Sequence, residues 1–157
     1  MLEELMKWIS RLHEVAPGSV GDRLGLEPLE YDDGKKEFVL RCPTKNWMHN
    51  AHGTLHGGIC ATIADQAMGS VACCYKRGEG ILPAIELSLN YHRPLVPGEN
   101  VLIRVRPMSV TWTLISVQAQ LYLESQPDKL CTSAKATYFI RKCKSCAKEE
   151  LQLPFYW

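Results

Sequence analysis

One carboxylate stands out in this chain. Asp65 sits in the run from His56 to Tyr75, HGGICATIADQAMGSVACCY, and apart from the terminal His56 it is the only acidic or basic side chain there. At about 100° per residue, a helical wheel gathers Ile59, Ile63, Ala67, Val71 and Cys74 on one side and Ala61, Asp65, Met68 and Ala72 on the other. Two readings of Asp65 follow. In the structural one it is partly exposed or neutralised by an ion pair. In the chemical one, the helix offers no Lys or Arg to pair it, and desolvation among small apolar neighbours is the condition that favours a carboxylate as general base.

At the start of the same helix stand Gly57 and Gly58, preceded by His56. First-turn amides lack intrahelical partners and lie at the positive end of the helix dipole, so a glycine there lets a carbonyl oxygen come close enough for an oxyanion hole. The blander reading is that the pair merely permits close packing of helix on sheet. Gly57 and Asp65 are separated by roughly 12 Å along the axis, at about 1.5 Å per residue. One chain cannot bring both to one carbonyl. Two such helices lying antiparallel across a two-fold axis would place Gly57 of one beside Asp65 of the other, twice over. The small residues Ala61, Ala64, Gly69 and Ala72 permit that approach, and the expected assembly is an obligate homodimer with composite sites.

Other chemistry-bearing patterns are weaker. Cys143 and Cys146 form a single Cys-x-x-Cys among basic residues, without the further ligands that structural zinc requires and outside a strand-to-helix redox context. They read as an idiosyncratic tail whose end, Leu151 to Trp157, folds back on an apolar surface or a partner subunit. His49, His52 and His56 cluster without an accompanying carboxylate, so neither a metal site nor a cofactor is expected. His13 and His92 read as ordinary side chains.

The elements that must carry these residues come from 157 amino acids with 46% hydrophobic and 22% charged content, enough for one compact domain. A formal charge of +1 offers no broad attraction for a polyanion, which excludes nucleic acid as an expected partner. Acidic residues near the N-terminus argue against a secretory leader, and no run reaches the roughly 18 to 20 apolar residues of a membrane helix. Seven cysteines in an irregular, odd set point to a reducing compartment, hence the cytoplasm.

Residues 2–15 read as an amphipathic helix with Leu2, Leu5, Met6, Ile9 and Leu12 on one face, ended by Pro17-Gly18. Two strands follow, Leu24 to Glu30 and Lys36 to Cys42, around the turn Asp32-Asp33-Gly34. The stretch Pro43 to Leu55 is irregular and leads into the central helix. Four strands complete the chain, at Leu82 to His92, Val101 to Arg106, Thr113 to Leu123 and Leu130 to Arg141, with turns at Pro94, Pro97-Gly98 and Gln126-Pro127-Asp128. An antiparallel sheet wrapped around one buried helix satisfies this order and makes the fold α+β.

The segment Asn50 to Gly58, continued through Ala61-Thr62-Ile63-Ala64-Asp65 to Met68-Gly69, resembles the signature of hotdog-fold thioesterases of the phenylacetate-degradation type. Glu86 to Pro94 is similar to the family strand ending in Tyr-x-Arg-Pro, and Leu130 to Ile140 to its last strand. The resemblance spans about residues 18 to 141. It implies a hotdog fold, dimers that often pair into tetramers, and hydrolysis of acyl-CoA or carrier-bound thioesters without a cofactor. The implied domains are an N-terminal helix (1–17), a hotdog thioesterase domain (18–142) and a C-terminal tail (143–157).

Carried onto matching positions, the Gly57 N–H polarises the thioester carbonyl. Asp65 of the partner chain serves as base or nucleophile, Asn50 orients water or substrate, and His56 hydrogen-bonds near the carbonyl or the leaving sulfur. Gly58, Thr62, Met68 and Ala84 are assigned to substrate binding, with Arg104 and Arg106 as phosphate candidates. Some relatives carry Ser or Thr at the position of Ala84, a hydroxyl that this chain lacks. Val110-Thr111-Trp112-Thr113 also departs from the family's usual turn before the long strand. A non-catalytic acyl-CoA-binding module is the alternative on the same fold, and a dehydratase acting on hydroxyacyl thioesters a third reading.

Overall fold

A computed structural model of the chain describes residues 1–77 and 80–141. The expected tail, with Cys143, Cys146 and the closing Leu151 to Trp157, lies outside the described residues.

Helix α1 (Leu2–Val15) buries Leu5 and Ile9, two of the five residues that set its apolar stripe, and docks on the central helix and the first strand. A short helix missing from the sequence reading follows, α2 (Val20–Leu24). Its local signals are strong: the Ser19 hydroxyl accepts the Asp22 N–H at 3.3 Å, and Gly25 closes the helix in the left-handed region at φ +62°. Strands β1 (Glu27–Asp32) and β2 (Glu37–Pro43) form the expected hairpin, with Asp32 Oδ1 accepting the Lys35 N–H at 3.0 Å in its turn. The irregular stretch holds one 3-10 turn, Asn46–Met48, and delivers the chain to α3 (Gly57–Tyr75).

Beyond α3 come β3 (Ala84–Tyr91), β4 (Asn100–Val110), β5 (Leu114–Leu123) and β6 (Gln126–Phe139). All six strands join one antiparallel sheet in the order β1-β2-β4-β5-β6-β3. Period-two alternation builds the core. Phe38, Leu40 and Cys42 of β2, Val101, Ile103 and Val105 of β4, Ile115, Val117, Ala119 and Leu121 of β5, and Ala134, Ala136 and Tyr138 of β6 are all buried against the α3 side. Each large aliphatic so buried contributes about 1.5–3 kcal/mol. Among the described residues, no helix is long and apolar enough to cross a membrane.

Two readings are corrected. Gln126-Pro127-Asp128 is not a turn: β5 and β6 are joined by Glu124-Ser125, and Gln126 already pairs with Leu123. Pro127 is tolerated there because it falls at the strand's start, where its missing N–H costs little. The wheel of α3 also misplaced Met68 and Ala72, which are fully buried with Ile63, Ala64, Ala67 and Val71. A helix apolar on nearly every side does not announce which face the sheet will take. The less buried face carries Gly58, Ala61, Thr62, Asp65 and Gly69.

Among the described residues, strand β3 closes the sheet with one edge unpaired, and along it Ile85 (61% exposed), Leu87 (38%) and Tyr91 (57%) are exposed.

Candidate active site

The loop ahead of α3 is held by its own polar groups. Asn50 Oδ1 accepts the backbone N–H of His52 at 2.9 Å and of Thr54 at 3.2 Å, while Asn50 Nδ2 donates to Thr54 Oγ1 at 2.9 Å. The Asn50 N–H donates to the Thr54 carbonyl at 2.8 Å, and Gly53, at φ +76°, returns its N–H to the Asn50 carbonyl at 3.0 Å. Asparagine is suited to this because its short amide mimics a backbone turn. Its side chain keeps one Nδ2 hydrogen for anything outside the loop. Anchors from Leu55 N–H to Leu95 O and from His56 N–H to Met48 O, both 2.8 Å, then fix the entry to α3.

His56 is the N-cap of α3. Its Nδ1 accepts the Gly58 N–H at 3.0 Å, so in the neutral imidazole the proton resides on Nε2, a donor on an exposed side chain. The hydrogen-bond network thus assigns a tautomer that the sequence leaves open. A side chain at Gly58 would crowd this arrangement: a Cβ there would meet His56 Nδ1 at 3.2 Å and Cε1 at 3.3 Å. Gly57 is different. Its carbonyl accepts from Tyr91 Oη at 2.9 Å, and among the described residues no group accepts from its N–H. An open amide at the positive end of a 19-residue helix is a donor placed for a negative oxygen. Thr62 Oγ1 donates to the Gly58 carbonyl at 2.8 Å, further bracing the first turn.

Asp65 lies two turns on, half-buried. Neither an Arg nor a Lys pairs with it among the described residues; its partner is the phenol of Tyr138, which donates to Asp65 Oδ1 at 2.9 Å and to the Asp65 carbonyl at 3.0 Å. Burial and the adjacent carboxylate push the Tyr138 phenol well above its ordinary value, so it stays a hydrogen-bond donor. The sequence reading gave no site role to Tyr138 or to Tyr91, although Tyr91 is the tyrosine of the Tyr-x-Arg-Pro resemblance. The signal for Tyr138 was the pattern Ala134, Ala136, Tyr138 on inward positions of the last strand, two small residues that let the helix close in beside one long polar tip.

The remaining assignments divide. Ala84 is the cross-strand partner of Tyr138 and so shares the sheet face that meets α3 near Asp65. Met68 is withdrawn from any surface reached by substrate, since it is wholly buried in the core. Arg104 and Arg106 alternate with the buried Ile103 and Val105, and therefore project from the opposite sheet face to α3. There Arg104 lies over the Tyr122 ring at 5.0 Å and Arg106 Nε donates to Glu37 Oε2 at 2.5 Å. The structure does not bring either to the helix. Covalent chemistry by four of the thiols is disfavoured: burial pushes Cys60 and Cys73 up to about 11 and Cys42 and Cys74 up to about 12. Among the described residues, no three His, Cys, Asp or Glu side chains converge as a metal site.

A six-stranded antiparallel sheet packed on one long helix, with a capped glycine start and a carboxylate two turns later, defines the hotdog class. The family model described as the thioesterase superfamily matches residues 52–129, which include His56, Gly57, Asp65 and Ala84. That match assigns residues 52–129 to the thioesterase superfamily.

Solved structures agree on the fold. A phenylacetic acid degradation-related protein of Ralstonia eutropha is 21% identical over 85% of this chain and 99% of its own, with a TM-score of 0.71. A variant of the phenylacetic acid degradation protein PaaI from Thermus thermophilus is 25% identical over 76% and 96%, with a TM-score of 0.63. A Streptococcus mutans protein solved with bound acetyl CoA is 20% identical over 83% and 95%, with a TM-score of 0.66. Comparison with curated proteins returns no match.

Proposed function

We propose that the chain hydrolyses acyl-CoA thioesters at composite sites in a homodimer. The open Gly57 amide at the start of α3 carries this reading, because an unpartnered donor at a helix N-terminus suits the oxyanion of a tetrahedral intermediate. The thioester oxygen accepts from the Gly57 N–H, and His56 Nε2–H provides a second donor beside it for the carbonyl or the leaving sulfur. Asp65 of the partner chain takes a proton from water as the water oxygen bonds to the carbonyl carbon. When the intermediate collapses, the C–S bond breaks and the departing sulfur regains a proton, releasing acid and thiol. Attack by the carboxylate itself, with later hydrolysis of the anhydride, uses the same groups.

Two further features support the reading. Gly57 and Asp65 are roughly 12 Å apart along one helix, and among the described residues β3 presents an unpaired, apolar edge suited to a second copy. Acyl-CoA as the substrate draws on the acetyl CoA bound by the Streptococcus mutans neighbour.

The test is a panel of acyl-CoA esters with a thiol-detecting reagent, run on the parent chain and on Asp65→Asn. The parent should release thiol, and the variant should lose at least about 100-fold in kcat with unchanged circular dichroism. Tight binding of acyl-CoA without thiol release would instead identify a binding module.

A further inference from the structure

The mechanism above uses one oxygen of Asp65, yet a free carboxylate turns easily about its last torsion and would present either. The only side-chain hydrogen bond to this carboxylate among the described residues comes from Tyr138, at 2.9 Å to Oδ1. The same hydroxyl reaches the Asp65 carbonyl at 3.0 Å, so one donor ties both the side chain and the backbone of that residue to the last strand. Among the described residues nothing donates to Oδ2. Tyr138 itself is 2% exposed, and its ring lies along Gly69, where a Cβ would sit 3.6 Å from Cε1 and 3.7 Å from Cζ. Its hydroxyl is therefore not a solvent-facing tip that happens to brush an acid. Packing alone would be met by Phe; a buried hydroxyl is costly unless its partners are present, and both of its partners belong to Asp65. Across the strand pair, Ala84 supplies only a methyl, so no second hydroxyl from that position competes for the carboxylate.

We propose that Tyr138 is a positioning residue for the reaction at Asp65: its phenolic O–H holds Oδ1 so that Oδ2 alone faces the attacking water. The role rests on Asp65 being the reactive carboxylate. It requires no contact between Tyr138 and substrate, so its removal acts on turnover and spares binding. A role as a mere tether between helix and sheet would weaken the fold in any background, whereas positioning is felt only while the carboxylate it positions is present.

A double-mutant cycle separates the two. Parent, Tyr138→Phe, Asp65→Asn and the double variant are assayed on one acyl-CoA ester, with chain concentration raised until the Asp65→Asn rate stands above the buffer blank, and with folding checked by circular dichroism. Phe keeps the ring against Gly69 and removes only the hydroxyl. The expected result is a fall of about tenfold in kcat for Tyr138→Phe with KM within about twofold of the parent, and no further fall when Tyr138→Phe is added to Asp65→Asn. Parental kcat in Tyr138→Phe, or the same fold-loss in both backgrounds, overturns the positioning role while leaving the thioesterase reading intact. A parent inert toward acyl-CoA, or an Asp65→Asn chain as active as the parent, overturns both, and is recognised from those two arms alone.

Discussion

Mixing two inactive chains gives the sharpest test of a shared site. If each site takes Gly57 and His56 from one protomer and Asp65 from the other, a homodimer of Asp65→Asn has two dead sites, and so has a homodimer of His56→Ala. Refolding them together in equal amounts yields homodimers and heterodimers in the ratio 1:2:1, so about half the dimers are mixed. In each mixed dimer one site joins an intact His56 half to an intact Asp65, while the other combines both defects. Half of the sites in half of the dimers are whole, which predicts recovery to about one quarter of the parental rate per chain. The His56→Ala chain loses the cap on Gly58 N–H, a cost of about 0.5–2 kcal/mol. That leaves a chain with the usual stability of about 5–15 kcal/mol folded. The assay is thiol release at saturating acyl-CoA, with heterodimers counted by native mass spectrometry of differently tagged chains. Heterodimers present at half the population with no regained activity would refute the two-chain geometry, and with it the argument from the helical rise.

Two other outcomes follow from the geometry. Gly58→Ala brings a methyl to about 3.2 Å from Nδ1 of the capping imidazole, so the exposed ring must give way by a few tenths of an ångström and its bond to the residue 58 N–H weakens. Helix propensity and the weakened cap nearly cancel, and the variant should keep its urea midpoint while losing kcat; an unchanged kcat would remove the His56 donor from the chemistry. Stability should also decline in alkali. The folded chain holds protons on Cys42, Cys60, Cys73 and Cys74 up to about 11 or 12, whereas unfolded thiols release them near 9.0. Folded-state values are raised, so this contribution is complete below pH 9 and is lost as pH rises through 11 to 12, at about 1.4 kcal/mol per pH unit for each titrating thiol. Urea denaturation from pH 8 to 10.5 should show the decline, and Cys42→Ala should make it shallower; a flat profile would contradict the burial of these thiols.

Much of the fold was written in local pattern. The alternation of Val101, Ile103 and Val105, and of Ile115 to Leu123, identified strands because each has one wet face and one dry. The central helix was equally plain from composition, but its orientation was not, since a helix apolar on most sides leaves Met68 and Ala72 indistinguishable from surface positions. Gly57, Gly58, His56 and Asp65 stood out as candidates because their types are anomalous where they stand. Tyr138 did not, because the contact that matters joins residues 73 positions apart in sequence and depends on how β6 registers against α3. The placement of the β4 arginines was hidden for a related reason: only strand parity, once the buried face was known, showed that they lie across the sheet from the helix.

The self-satisfied turn from Asn50 to Thr54 carries a kinetic meaning. A loop whose amide, hydroxyl and backbone groups already answer one another surrenders its freedom when the chain folds, before any ligand arrives. The encounter with substrate then has little disorder left to remove beside the reacting carbonyl, and the expense of organisation falls on the protein's stability instead of on its speed.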